Sequence, residues 1–372
     1  MTSKIFLSKP HYTGREEKYI IDALSGKNTF LNLISFESDL KDYLGENKHV
    51  ACLSSGTSAI HLALIQIGVG FGDEVLCQTF TFCGSTNPII YQGATPIFID
   101  SENETWNMCP NHLEEAIKDR VSKGKKPKAI ILVHLYGMPA QVDEILEVAE
   151  KYQIPLIEDA TEALGSSYKG RKCGTFGDYS ILSFNGNKII TTSGGGALVC
   201  NTKEQKKETI FYATQARDNA PHYQHSKVGY NYRMSNISAG IGRGQMEVLD
   251  KHIGLRQKMN LFYKNLFKDI NGVEVFQEPN ENYTSNHWLS CITIENDSDF
   301  IKSDFQCALS EANIETRPLW KPMHLQPVFK NLPYFGNNES ETLFNKGLCL
   351  PSGSNLTDDD RDRIFNVVSK FK

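Results

Sequence analysis

The chain is 372 residues long, 40% hydrophobic and 22% charged, with a formal net charge of −5. This is the balance of an ordinary folded protein with room for one large domain and a smaller one, and its mild acidity offers no electrostatic case for nucleic acid or an anionic membrane as partner. The opening ten residues lack the apolar stretch of a signal peptide, no apolar run approaches the roughly 18 residues of a spanning helix, and the nine cysteines include no C-x-x-C pair, so reduced thiols in the cytoplasm are expected.

From about residue 48 to 200, short apolar runs alternate with helical patterns. Candidate strands are Val50–Leu53, Glu74–Phe80, Thr95–Asp100, Lys128–Leu135, Pro155–Asp159, Tyr179–Phe184 and Gly196–Cys200. Helical stretches lie between most of them, notably Thr57–Ile67, His112–Val121 and Gln141–Tyr152. Strands separated by helices predict an α/β fold whose seven-stranded sheet is mostly parallel, with helices on both faces. Ligands in such sheets gather at the carboxyl ends of the strands. Later the pattern changes to a helical run from Met246 to about Ile270, a strand near Trp288–Ile294 and a helix from Asp299 to Ala312. A last helix starts at Thr357, where Thr357 and Asp360 have capping-box spacing. The expected organisation is a large α/β domain over residues 1–245, including an amino-terminal arm, and a small α+β domain over 246–372.

Four points at the ends of the predicted strands carry chemistry. Ser55-Gly56-Thr57 opens a helix, where backbone N–H groups and a hydroxyl suit a phosphate dianion; taken alone, an ordinary N-cap is the more common explanation. Phe82, just past a strand, is placed to stack on a ring, though one aromatic there is more often core. Asp159 ends a buried strand, where a carboxylate is costly without a partner; capping the next helix is the plain alternative. Lys188 follows Ser183 by five residues and precedes Gly194-Gly195-Gly196. A lysine in a tight, glycine-flanked loop forms Schiff bases with carbonyl cofactors, and its plain reading is a solvated loop lysine. Each point is ambiguous alone. Together they are a phosphate cup, a ring-nitrogen acid, a stacking aromatic and an amine, the parts of a pyridoxal 5′-phosphate site. No metal site is expected.

The chain resembles the DegT/DnrJ/EryC/StrS sugar aminotransferases of pyridoxal-phosphate fold type I. The motifs that carry the likeness are Ser55-Gly56-Thr57-Ser58-Ala59, Thr81-Phe82, Gly93 to Asp100, Glu158-Asp159-Ala160, Ser183-Phe184 with Lys188, Gly229 to Ser235, Met323-His324-Leu325-Gln326-Pro327 and Leu350-Pro351. The resemblance implies that Lys188 makes the Schiff base and that Asp159 pairs with the pyridine nitrogen. It implies Phe82 stacked on the ring, phosphate held by Gly56, Thr57 and Ser183, and Asn231 reaching that phosphate from the neighbouring subunit of a homodimer. One position departs from the common pattern, Glu162 standing where the family usually has Gln near the cofactor's phenolic oxygen.

The resemblance also implies an activity, the transfer of an amine from L-glutamate to C4 of a nucleotide-linked 4-keto-6-deoxy sugar. The wording around Lys188, Thr214-Gln215-Ala216-Arg217 and Glu315 to Lys321 looks most like enzymes aminating a UDP-linked 2-acetamido-4-keto-6-deoxy sugar, the bacillosamine type. Arg317, Trp320 and His324 suit a nucleotide-sugar pocket, offering guanidinium to diphosphate, indole for stacking and imidazole to a hydroxyl; surface or packing roles are the plain alternative. Asn28 sits where related enzymes bring a loop to the sugar. Amination of a dTDP- or GDP-linked sugar is the alternative, followed by a dehydratase of the same fold or a non-catalytic sensor. The lysine at 188 speaks against a dehydratase of the type that carries histidine there.

Overall fold

The computed structural model describes residues 3–25, 30–45 and 47–371, which leaves Asn28 outside the described residues. Helices α1 (Glu16–Leu24) and α2 (Leu31–Leu44) occupy a stretch for which the sequence pattern predicts nothing specific. Strand β1 (His49–Leu53) then runs into α3 (Gly56–Ile67), and β2 (Glu74–Gln78), β3 (Thr95–Ile99), β4 (Ala129–Val133), β5 (Leu156–Asp159), β6 (Tyr179–Ser183) and β7 (Gly196–Cys200) follow. Every predicted strand in this region forms. Four end earlier than predicted, β3 and β6 by one residue and β2 and β4 by two. β2 stops at Gln78, where the Thr79 carbonyl and hydroxyl turn to the later chain, and β4 stops before His134, where the backbone bends into a short 3-10 turn.

The later chain contributes β8 (Val273–Val275), β9 (Ser290–Ile294), β10 (Arg317–Pro318), β11 (Tyr334–Phe335) and β12 (Gly347–Leu350). The predicted run from Met246 to about Ile270 forms the single helix Leu249–Phe267, and a further helix that the pattern did not predict, Asn236–Met246, precedes it. The large sheet has eight strands in the order β1-β7-β6-β5-β4-β2-β3-β11. β7 pairs antiparallel with both neighbours and the other pairings are parallel. Strands β2 and β4 are buried along their whole length, as apolar layers on both faces require. A second, antiparallel sheet runs β8-β9-β12-β10 and carries its own core of Ile292, Phe305, Leu348 and Ile364.

The two units exchange segments. Ile5, from the amino-terminal arm, bridges to Ile314 and packs in the second core, while β11, from the later chain, extends the large sheet beside β3. Thr357 and Asp360 form the expected capping box, and all nine cysteines are free thiols. Among the described residues no helix is long and apolar enough to cross a membrane.

Candidate active site

A cleft of about 870 Å³ of empty space opens at the carboxyl ends of β1, β5 and β6. One end is built around the start of α3. The Ser55 hydroxyl accepts from the Ser58 N–H at 3.0 Å and the Ser58 hydroxyl from the Ser55 N–H at 3.1 Å. That reciprocal cap leaves the N–H groups of Gly56 and Thr57, both lining the cleft, without intrahelical partners. β7 passes so close that a Cβ on Gly196 would lie 2.4 Å from the Gly56 nitrogen. Glycine at 196 therefore sets the strand against the helix start, and its register partner Ser183 is carried to the cleft. Gly56 is closely packed as well, since a Cβ there would press on the Thr161 side chain at 3.1 Å and touch Ser183 at 3.4 Å. A bare helix terminus flanked by the Thr57 and Ser183 hydroxyls is an anion cradle.

Asp159 closes the middle of the cleft. It is 2% exposed at the end of β5, with Oδ2 accepting from the Ser85 hydroxyl at 2.7 Å and Oδ1 from the Thr161 N–H at 3.1 Å. The Ser85 hydroxyl is itself 2.8 Å from that of Thr81. Among the described residues no lysine, arginine or histidine pairs with Asp159. A buried carboxylate held by neutral donors at the floor of a cavity is suited to a cationic guest. Phe82, 53% exposed, stands at the same cleft with its ring 5.5 Å from that of Trp320.

Lys188 lines the same cleft, on the loop that follows β6. Its Nζ is 3.5 Å from Glu162 Oε1 and 4.1 Å from the centre of the Trp288 ring. The other oxygen of Glu162 accepts the Tyr136 N–H at 2.7 Å. Burial pushes the Glu162 carboxyl above its usual range, opposed by the Lys188 ammonium and the Tyr136 N–H. Tyr136 achieves this contact with φ +55°, a left-handed conformation in a bulky residue, which costs on the order of 1–3 kcal/mol. Its hydroxyl meanwhile accepts the Trp320 N–H at 2.8 Å, so one strained residue braces both Glu162 and Trp320.

The cleft brings together Gly56, Thr57, Phe82, Asp159, Glu162, Ser183, Lys188 and Trp320 among the residues singled out from sequence. It does not bring the others. His324 is occupied elsewhere, with Nδ1 2.7 Å from the Thr79 hydroxyl, Nε2 3.1 Å from Glu341, and its ring stacked on Tyr334. It is placed as a brace between β2 and the later chain rather than as a hydroxyl reader. Arg317 is paired with Glu315 at 2.8 Å and lines a second groove that adjoins the cleft through Asn187, Trp288 and Trp320. Asn231 is exposed on a segment bridged to Thr214 and away from this chain's own cleft. Trp288, Tyr136, Ser85 and Gly84 are site residues that sequence reasoning missed. Only Ser85 carried a signal, one turn beyond Thr81.

An anion cradle, a buried carboxylate without a cation, an exposed aromatic and a half-buried amine fit pyridoxal phosphate in its phosphate, ring nitrogen, ring face and carbonyl. The comparisons agree. Residues 16–369 match the DegT/DnrJ/EryC1/StrS aminotransferase family. Bacillus subtilis (strain 168) EpsN, assigned as a pyridoxal phosphate-dependent aminotransferase, is 46% identical over 99% of this chain and 96% of its own length. The GDP-perosamine synthase of Escherichia coli O157:H7 is 36% identical over 98% and 97%. A DegT DnrJ EryC1 StrS aminotransferase from Brucella abortus superposes with a TM-score of 0.89 at 28% identity, covering 96% of this chain and 95% of that one.

Proposed function

The chain belongs to the DegT/DnrJ/EryC1/StrS aminotransferase family, a pyridoxal-phosphate-dependent sugar aminotransferase, and from that premise we propose that it moves an amine from L-glutamate to C4 of a nucleotide-linked 4-keto-6-deoxy sugar. The observation that carries the reading is the pairing, across one cleft, of the Lys188 amine with a buried Asp159 that has no cation of its own.

Bound pyridoxal phosphate supplies a carbonyl that accepts the amine and a ring that stores the electron pair released at the donor's α-carbon. Gly56, Thr57 and Ser183 would hold its phosphate, and Phe82 would offer its face to the ring. Asp159, oriented by Ser85 and Thr161, would keep a proton on the ring nitrogen. Lys188 is the general acid and base, taking the proton from the α-carbon of the donor and returning it to the carbon that carries the amine. Trp288 and Glu162 bound the space in which Nζ moves. Trp320 has an indole N–H that is buried without a partner and faces both the cleft and the groove holding Arg317 and Lys321. In this reading the sugar lies at Trp320 and the nucleotide diphosphate in that groove, beside Lys321 and the Arg317 that Glu315 also holds. Asn231, exposed and outside its own cleft, is available to a neighbouring subunit's phosphate in a homodimer.

The motif wording around Lys188 favours a UDP-linked 2-acetamido sugar. The 36% identity to a GDP-perosamine synthase favours a second reading, a GDP-linked one. Purified holoenzyme should change its visible absorption on adding L-glutamate. No change with any amino donor overturns the proposal. Parallel turnover of UDP-, dTDP- and GDP-linked 4-keto sugars then decides the nucleotide, and turnover of the GDP sugar alone removes the UDP reading.

A further inference from the structure

Arg256, on the helix Leu249–Phe267, is among the largest fully buried side chains of the molecule. Among the described residues no carboxylate pairs with it, and desolvation is the one influence on its titration, pulling it down to about 9, so it stays charged at neutral pH. An unpaired buried guanidinium is strongly unfavourable unless its donors are well used. Two of them are. One terminal nitrogen donates to the Trp288 carbonyl at 2.5 Å and the other to the Ser8 hydroxyl at 3.0 Å, while Nε has no partner.

Both recipients act on the same atom. The Ser8 hydroxyl donates to the Asn187 carbonyl at 2.8 Å, and the Trp288 indole N–H donates to that carbonyl at 2.7 Å. Asn187 immediately precedes Lys188, and the Trp288 ring lies 4.1 Å from the lysine Nζ. Pro10, on the same arm as Ser8, lies against Gly186, where an added Cβ would be 3.6 Å away. Segments near residues 8, 256 and 288 thus converge on the peptide that carries the lysine. We propose that Arg256 is a positioning residue for Lys188, acting through Ser8 and Trp288 to fix the Asn187 carbonyl. A guanidinium suits the task because it donates in two directions from a rigid fork. Its charge also fixes the Ser8 hydroxyl as an acceptor on one side, which turns the hydroxyl hydrogen towards Asn187.

The proposal rests on Lys188 being the acting amine, so its test has two arms, both on holoenzyme. In the first, the reaction with L-glutamate alone is followed by absorbance for Arg256→Met, Arg256→Lys and Ser8→Ala. The rate constant at saturating glutamate should fall roughly 10- to 100-fold in R256M, the scale for a misplaced catalytic group, and about threefold in S8A, for one lost hydrogen bond. Half-saturating glutamate and cofactor affinity should stay within about twofold, since the cradle lies elsewhere, and R256K should recover part of the rate. In the second arm, amide exchange without donor should rise roughly tenfold in peptides covering 185–190 in R256M and S8A and be unchanged in β4 and β5. Wild-type exchange and rate in folded R256M and S8A would overturn the proposal, as would a rise in exchange spread evenly over the protein. If wild-type enzyme shows no response to any amino donor, the functional reading falls while the exchange arm still decides the network.

Discussion

The cleft has two walls built by different means. The wall that carries Gly56, Thr57, Asp159 and Ser183 consists of strand ends in one sheet and the capped start of α3, held by ladder hydrogen bonds between β1, β7, β6 and β5 and by the Ser55–Ser58 cap. The wall that carries Trp288, Trp320 and Tyr136 has no ladder. It is tied by single side-chain bonds across long separations, Trp288 to Asn187, Trp320 to Tyr136 and Arg256 to Ser8. In the proposed reading the first wall grips the part of the reaction that never changes, the cofactor, and the second meets the substrates. A wall held by individual side chains can be altered one contact at a time without disturbing the sheet. Lys188 stands between them, on a loop from the first wall with its amine over an aromatic of the second.

The comparison is tested most severely at the chemistry itself. Lys188→Ala should lower turnover by at least about 10³-fold, since nucleophile and proton carrier are both lost, while cofactor phosphate binding survives on the intact cradle. Equilibrium dialysis with pyridoxal phosphate separates the two effects. Asp159→Asn should follow, with turnover down roughly 10²- to 10³-fold and little loss of folded stability. The amide keeps an acceptor for the Thr161 N–H and can donate to the Ser85 hydroxyl, which is able to accept, but it cannot hold a proton on the ring nitrogen. Equal activity of D159N would mean that the carboxylate does not face the ring.

The same contrast explains what was legible in the sequence. The first wall was readable because its signals are local. Ser55-Gly56-Thr57 announces a capped helix start, and Asp159 falls where an apolar run ends. Ser183 and Lys188 share one short segment with the glycines. The second wall was not, because Trp288 and Arg256 look like core positions until the fold brings residues 8, 187, 256 and 288 together. Tyr136 was hidden for another reason. Its role depends on a left-handed backbone, and nothing in Leu135-Tyr136-Gly137 distinguishes that from the end of a strand. His324 is the converse, its motif being prominent while its imidazole lies outside the cleft, bonded to Thr79 and Glu341. The eighth strand, β11, was beyond reach because two residues are too few to show a period.

A smaller effect probes the ladder wall directly. Gly196→Ala puts a methyl 2.4 Å from backbone atoms of Ser55 and Gly56, and backbone cannot rotate away as a side chain would. Destabilisation of about 2–3 kcal/mol is expected, together with weaker cofactor binding as the helix start shifts. The same change at Gly194, where a Cβ would meet nothing within 4 Å, should leave both unchanged. Thermal unfolding and cofactor titration of the two variants check this, and equal behaviour would show that the close approach of β7 does not shape the cradle.

The smallest expected effect lies where the walls meet. Glu162 belongs by sequence to the first wall, but its contacts, the Lys188 amine and the Tyr136 N–H, face the second. Burial raises its pKa in the folded chain above the unfolded value, against the pull of Lys188 and Tyr136. Between the unfolded and folded pKa values the native state therefore binds more protons than the unfolded state. Its contribution to stability is fully present below the unfolded pKa and is lost as pH rises through the folded one. Glu162→Gln removes the titration while keeping an oxygen for the Tyr136 N–H. The variant should accordingly gain on wild type as pH rises from about 4.5, the ordinary carboxyl value, and the gain should level off once Glu162 is ionised. A difference of about 1 kcal/mol is expected, the scale of one exchanged hydrogen-bonding partner. Thermal unfolding of cofactor-free enzyme at pH 4.5, 6 and 8 measures it. A variant that instead loses ground on wild type as pH rises would mean that Lys188 holds Glu162 below its ordinary range and that the two walls are joined by a full ion pair, and a difference that does not vary with pH would mean that folding does not shift Glu162 at all.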